Sequence, residues 1–481
     1  MTEKDLTIIQ LNDSHGYLEL HNELFYKGDH AEYRKAGGFA RISTIVKHVR
    51  DEMDDNVLVF DCGDTIHGTY PAVQTKGEML VPVLNKIKFD AWTAHWEFGY
   101  GPEQLMKITG MLDYPLLAIN CYGRDTGERI FDPYKIFEIN GVRVGVIGIA
   151  AFIVDKVMPD WFSEGIRMTI GNEELPVFIE KLRQEEHVDL VLVLSHLGYP
   201  QDAKLASEVD GIDVLLSGHT HNRLRHPAII NNTIVFQSGC HGSFLGRLDL
   251  KVNGGKIVNF SHQLIEIDES IEPDLEIDTL INALMKPHRE YLSQEVGTTK
   301  TPLHRYRVLE STMDNLLLKS LMGVTGVEMA FSNGWRYGAP IIPGKITMND
   351  LWNIIPVNPP LQTCKLTGAE LWHMMEKNLE RTFSRDPYQQ MGGYVKRCMG
   401  LNLYFKIEND NKQRIEELFI QGERVNLEKV YDVCFVTSQG VSKEYGTDRK
   451  KLGITAIDAL LKYIEGNKLI HVGIENSINA I

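Results

Sequence analysis

The 481-residue chain is poor in cysteine: its six, Cys62, Cys121, Cys240, Cys364, Cys398 and Cys434, stand singly, with no CxxC spacing. This excludes a thiolate zinc ribbon and offers no disulfide framework, so the thiols are expected to be reduced and buried. Long apolar runs are also missing. The longest, VGVIGIAAFIV from Val144 to Val154, falls short of the roughly 18 residues that a bilayer span needs. The opening MTEKDLTIIQLND carries acidic residues where an export signal has a basic segment and then an apolar one. The expectation is a cytoplasmic protein with no membrane partner. Positive charge is short relative to negative, 50 Lys+Arg against 65 Asp+Glu for a net charge of −15. That argues against a nucleic acid polymer as partner, while a small anionic substrate stays open if cations or a local basic pocket receive it. No fixed-period repeat and no low-complexity tract is found.

What is present is globular: 43% apolar and 24% charged residues, in a chain long enough for two or three units. Up to about residue 265, buried-strand runs alternate with amphipathic stretches. LTIIQL (6–11), VLVFDC (57–62), YPLLAI (114–119), RVGVIGI (143–149), DLVLVLS (189–195), DVLLSG (213–218) and TIVFQSG (233–239) read as strands. Residues 37–52, 78–87, 173–186 and 202–209 read as helices, which makes a layered α/β domain. The segment 272–296 has helical spacing and much charge and reads as a connecting helix. Beyond it lies a second α+β unit with helices near 310–322, 368–382 and 455–464. The expected division is 1–268, a connecting 269–297, and 298–481.

Four strands of the first half end in the same kind of residue. LTIIQL leads to Asp13 and His15, VLVFDC to Gly63-Asp64, DLVLVLS to His196, and DVLLSG to His219 and His221. Strand carboxyl ends converge on one crevice in an open α/β sheet. Two carboxylates and four imidazoles suit Mn, Fe, Zn, Co or Ni better than calcium, and the two-apart pairs put side chains on one side of an extended segment.

With these motifs the chain resembles the calcineurin-like metallophosphoesterases, and among them the two-domain family of 5′-nucleotidases and 2′,3′-cyclic-nucleotide 2′-phosphodiesterases. "NDSHG", "GGFARI", "DCGDTIHGT", "SHLG", "SGHTH" and "LGRLDL" match its first domain in order, and "ESTMDNLL", "GKITMNDLW", "LTGAEL" and "QQMGG" its second. The resemblance implies an αββα metallophosphoesterase sandwich followed by a smaller α+β substrate domain, with a hinge between them. It implies two divalent transition-metal ions, one on Asp13, His15 and His221, the other on His196 and His219, with Asp64 bridging. Such a pair lowers the pKa of a bridging water that attacks phosphorus in line.

The pattern breaks at Ala94-His95-Trp96-Glu97-Phe98-Gly99, where the family has Gly-Asn-His-Glu-Phe followed by Asp or Asn. Anchored on Glu97-Phe98, His95 takes the place of the Asn ligand and Trp96 that of the catalytic His. Anchored on Asp90-Ala91, the loop is one residue short. Three readings of His95 stand: substitute ligand, displaced general acid, or polar loop residue. The indole of Trp96 does not titrate and cannot donate a proton to a leaving group. His67 and His241 occupy loop positions that could enter the crevice and are read as structural. Arg307 and Arg336 resemble the family's phosphate-facing arginines and Tyr388 its first base-stacking ring, with Tyr445 a candidate for the second. The implied activity is hydrolysis of a small-molecule nucleotide or other phosphate ester, with Asp64 and His95 in the catalytic set. The alternatives are a binding protein without turnover and a phosphatase of a non-nucleotide substrate. Oligomeric state is left open.

Overall fold

In the computed structural model, which describes residues 3–481, the apolar runs of the first half pair into two sheets. One has five strands in the order Lys256–Glu266, Phe244–Asn253, Lys4–Leu11, Val57–Asp61, Ala91–Trp92; the other has six, in the order Ala228–Ile230, Thr233–Phe236, Val214–Ser217, Leu190–Ser195, Val142–Ile149, Tyr134–Ile139. Their inner faces share one core, with Leu6, Phe60, Val146, Leu192 and Leu216 all at 0% exposure. Branched side chains on both faces of a central strand are what a doubly covered sheet demands, which is why these runs read as continuous rather than alternating.

Helices cover the outer faces. Phe39–Glu52 buries Phe39, Ile42, Val46 and Val49 beside the first sheet, and Glu174–Gln184 and Tyr199–Glu208 flank the second. The layering is thus the αββα order expected. One expectation fails: YPLLAI (114–119) is not a ladder strand. It makes isolated bridges, Leu116 to Trp92 and Leu117 to Asp132, and one further backbone bond, Ile119 N–H to Gly148 O at 2.9 Å. Tyr114, Leu116, Leu117 and Ile119 are nonetheless buried, so an apolar run here records burial of a crossing segment and not pairing.

The helix expected in 272–296 spans Leu275–Leu292, with Pro287 inside it. Contacts divide the chain into one unit of the residues up to Glu23 with Arg34–Lys286, and a second of Leu24–Tyr33 with Pro287–Ile481. The break thus falls within that helix, at the residue that lacks a backbone N–H to continue it, and not at its ends. Inclusion of 24–33 in the second unit has no signature in sequence order.

The second unit is built on a five-stranded sheet ordered Arg397–Met399, Met329–Ser332, Val430–Phe435, Pro360–Thr367, Thr447–Thr455. Its helices Thr312–Thr325, Gly368–Phe383 and Ala456–Gly466 fall where expected, the last two opened by capping boxes, Thr367 with Glu370 and Thr455 with Asp458. Among the described residues no helix is long and apolar enough to cross a membrane.

Candidate metal centre

Parallel pairing sets the strand ends level. Leu11 lies opposite Asp61, Asp61 opposite Trp92, and Ser195 opposite Ser217. The next residues of each chain segment therefore leave the sheets side by side. Asp13 N–H donates to Gly63 O at 2.9 Å and His15 N–H to Asp64 O at 2.7 Å, tying the first two loops together. The turns are sharp: Asp13, His15, Asp64, His219 and His221 have φ of 52°, 50°, 57°, 73° and 59°. Asp and His are among the few non-glycine residues that enter this left-handed region readily. Gly63 and Gly218 permit the close approach. A Cβ on Gly63 would lie 2.8 Å from Thr93 O, and one on Gly218 2.9 Å from His196 Nδ1.

Two donor groups result, each with its ligand atoms within 4.8 Å of one another: Asp13, His15, Asp64 and His221, and Asp64, His95, His196 and His219. Asp64 belongs to both. In the first group His15 Nε2 faces His221 Nε2 at 3.2 Å and Asp64 Oδ2 at 3.8 Å, and His221 Nε2 lies 3.3 Å from Asp13 Oδ1. In the second, His196 Nε2 is 3.2 Å from Asp64 Oδ2 and His95 Nδ1 is 3.1 Å from Asp64 Oδ1. The seven residues foreseen as donors are thus brought together, His95 included.

The surrounding chain aims these side chains. His15 Nδ1 faces the carbonyl of His67 at 3.1 Å, and His196 Nδ1 bonds the carbonyl of Cys62. A carbonyl only accepts, so each Nδ1 carries a proton and each Nε2 turns inward, the atom that would meet a bound ion. Asp13 accepts the His219 N–H at 2.9 Å and the Asn12 amide at 2.7 Å; Asp64 accepts the Trp96 N–H at 2.8 Å.

Burial and opposite charge compete here. Burial alone pushes both carboxyls up, but His221 and His196 outweigh it at Asp13, and His95 and His196 at Asp64, holding both below the usual carboxylate range. Burial depresses His15 to about 3. It would depress His196 as well, yet the Asp64 and Asp13 carboxylates lift that ring to about 10.

The donors fit divalent transition metals. The set holds two carboxylates and five imidazoles in buried surroundings, and His95 Nε2 and His196 Nε2 are buried without a hydrogen-bond partner.

Residues 6–223 match the family model for calcineurin-like phosphoesterase and residues 295–438 that for the 5′-nucleotidase C-terminal domain. The chain is a two-domain phosphoesterase of the 5′-nucleotidase family. The phosphoesterase is 25% identical to the 5′-nucleotidase of Bos taurus, over 98% of this chain and 90% of that one. It is 23% identical to the trifunctional nucleotide phosphoesterase protein YfkN of Bacillus subtilis (strain 168), over 89% of this chain, and it spans only 31% of that relative's length. Its fold is similar to that of the sulfate thiohydrolase SoxB of Thermus thermophilus, with a TM-score of 0.92, 23% identity, and coverage of 99% of this chain and 97% of that one.

In the sequence, Glu97 of this phosphoesterase marks only the register of its motif. The structure gives it work: fully buried, its carboxylate accepts the N–H groups of Thr65 at 2.6 Å, His95 at 2.7 Å and Asp64 at 3.3 Å. It thereby joins the Asp64 loop to the His95 loop. Trp96 is 7% exposed and its ring stacks on His67, centroids 4.8 Å apart.

In the second unit, Arg307 is exposed. Arg336 donates to Gly393 O at 2.8 Å and lies over the Tyr394 ring at 5.1 Å. Tyr388 and Tyr445 are 7% and 6% exposed, and Tyr445 belongs to the apolar core with its hydroxyl 2.9 Å from His373 Nδ1. Little ring surface is left open on either tyrosine.

Proposed function

We propose that this phosphoesterase hydrolyses phosphate esters and anhydrides of nucleotides, with Asp13, His15 and His221 holding one divalent transition-metal ion, His95, His196 and His219 a second, and Asp64 both. The observation that carries this reading is the sharing of Asp64 between the two donor groups. Bound there, two ions supply a nucleophile at neutral pH and the charge that an in-line displacement at phosphorus needs. They also give an anionic substrate a positive target in a chain of net charge −15.

The residues of the chain do the rest. Asp13 and Asp64 stay ionised because imidazoles and backbone N–H groups face them. His95 acts as a donor to the second ion: its ring meets Asp64, and it shares a group with His196 and His219. Trp96 contributes a backbone N–H to Asp64 and an indole that moves no proton. Without an acid for the leaving oxygen, a rate loss of about 10²–10⁴ falls on poor leaving groups. Substrates whose leaving group is already stable, such as the phosphate leaving a P–O–P bond, are therefore favoured over nucleoside monophosphates.

The test is metal analysis of the purified protein, then a release screen over nucleoside mono-, di- and triphosphates, 2′,3′-cyclic nucleotides, dinucleotides, sugar nucleotides and a sulfate thioester. Two ions at the centre and faster release from anhydrides are expected. Equal turnover of monophosphates removes the leaving-group argument, and bound metal with no release from any substrate replaces the enzyme reading with a binding protein.

A further inference from the structure

A second concentration of ligating side chains lies beside the metal centre and shares no residue with it: His21, Glu23 and His241. Glu23 and His241 are at 0% exposure, and the His21 side chain is at 10%. His21 and Glu23 open the strand His21–Lys27, while His241 sits in the loop after Thr233–Phe236, at a left-handed φ of 58°.

The polar atoms of this group face one another closely. His21 Nδ1 lies 3.1 Å from the carbonyl of Glu19, so the ring proton is on Nδ1 and Nε2 is bare. Burial keeps that imidazole neutral, pushing it down to about 4. Nε2 lies 3.1 Å from Ser243 Oγ, and the same Oγ lies 3.1 Å from Glu23 Oε2. A hydroxyl has one hydrogen, which serves the bare nitrogen or the carboxylate oxygen but not both, and His241 Nδ1, 3.1 Å away, is a second donor for that oxygen. Glu23 is ionised: burial pushes its carboxyl up, but His241 and Arg223 outweigh that and hold it well below the usual range. Arg223 Nη2 engages Oε1 at 2.9 Å, which leaves Oε2 facing the histidines.

The three ligand atoms also lie close enough together to share a cation, all within 4.8 Å of one another. His241 Nδ1 is 3.1 Å and His21 Nε2 4.0 Å from Glu23 Oε2. Donors about a tetrahedral zinc-type ion, with bonds of about 2.0–2.1 Å, stand about 3.4 Å apart. His21 also shows the outer contact typical of a metal-bound imidazole, its far N–H on a backbone carbonyl. His241 Nε2 is buried without a hydrogen-bond partner, so the ring proton has no fixed claim on one nitrogen.

We propose that His21, Glu23 and His241 form a third metal site that takes one divalent ion of the zinc class, with the Ser243 hydroxyl at its remaining side. The site is structural. It joins residues 21–23 to the 237–243 loop, whose His241 N–H donates to Asp13 O at 2.7 Å, and so steadies the backbone of a residue in the catalytic centre.

The experiment is elemental analysis of the full chain, saturated with Zn²⁺ and desalted, for the wild type, His21→Gln and His196→Ala. Three equivalents are expected in the wild type and two in His21→Gln. His196→Ala is expected to lose metal from the catalytic centre and to keep the equivalent that His21→Gln removes. A wild type that stops at two equivalents, or a His21→Gln protein that still binds three, overturns the site. The wild-type count decides even if His21→Gln does not fold. Failure of the catalytic reading is separable: one equivalent then remains in the wild type and disappears in His21→Gln.

Discussion

Replacing Glu97 with glutamine is the most searching single change. The carboxylate accepts Thr65 N–H through Oε1 at 2.6 Å, and His95 N–H and Asp64 N–H through Oε2 at 2.7 and 3.3 Å. Glutamine keeps one oxygen and sets an NH₂ where the other stood. Either orientation of the amide turns donors against at least one backbone N–H. A hydrogen bond to a charged acceptor contributes about 1.5–3 kcal/mol, and a buried group left unmatched costs about 1–3 kcal/mol. Against this, the buried charge is removed. Burial and the nearby Asp64 raise the Glu97 pKa, so part of the cost of ionising it returns. The net loss is about 2 kcal/mol, which at about 2–4 °C per kcal/mol for a domain of this order lowers the transition of the first unit by about 5 °C. Because the loops it joins carry Asp64 and His95, affinity for the second ion is expected to fall about tenfold or more. Scanning calorimetry of metal-stripped protein reads the first effect, and titration of the stripped protein with Mn²⁺ reads the second. A transition within 1 °C of wild type together with unchanged metal affinity would refute the role given to Glu97.

His95→Ala is expected to remove one metal equivalent at the catalytic centre; full metal content with a lost rate would make His95 the acid instead. Trp96→His restores a titratable ring at the position of the family's histidine, and should raise turnover of nucleoside monophosphates relative to anhydrides by about tenfold or more. An unchanged ratio with intact metals counts against the leaving-group argument. Lys396 tests stability against pH. Burial, with Arg381 adding, pushes its ammonium down to about 8, below an unfolded value of about 10.4. The folded chain then binds fewer protons than the unfolded one between these values, so stability rises with pH across that window and is lost as pH falls through about 8. The full effect is about 3 kcal/mol. Urea unfolding of wild type and Lys396→Met at pH 7.5 and 10 should show the difference shifting towards the wild type at the higher pH; a constant difference refutes the assignment.

Much of the catalytic unit could be read from the chain. The runs ending at Leu11, Asp61, Ser195 and Ser217 are buried on both faces, so their apolar character is continuous, and a polar donor directly after such a run stands out. YPLLAI shows the limit: its residues are as buried as a strand's but make isolated bridges and no ladder. Apolar patterning reports removal from water, and pairing is decided by where neighbours lie. Glu97 escaped notice because its partners are backbone N–H groups, which leave no trace in residue identity. His241 lies more than 200 positions from His21 and Glu23 and meets them through a loop whose course no local pattern gives. The placement of Leu24–Tyr33 with the second unit was hidden for the same reason.

The left-handed turns at Asp13, His15, Asp64, His219 and His221 bear on how such a centre can change over time. A position held at φ near 55° admits Asn, Asp, His or Gly at small cost and penalises a β-branched side chain by about 1–3 kcal/mol. Most of the residues that enter freely are themselves metal donors. Backbone shape thus acts as a filter on mutation: drift at these five positions tends to exchange one donor for another and seldom yields a bare apolar surface. His95 lies outside that filter, since its φ is −147°. His196 is the other donor that is not held at a left-handed φ, but it is at His95 that this chain departs from its family.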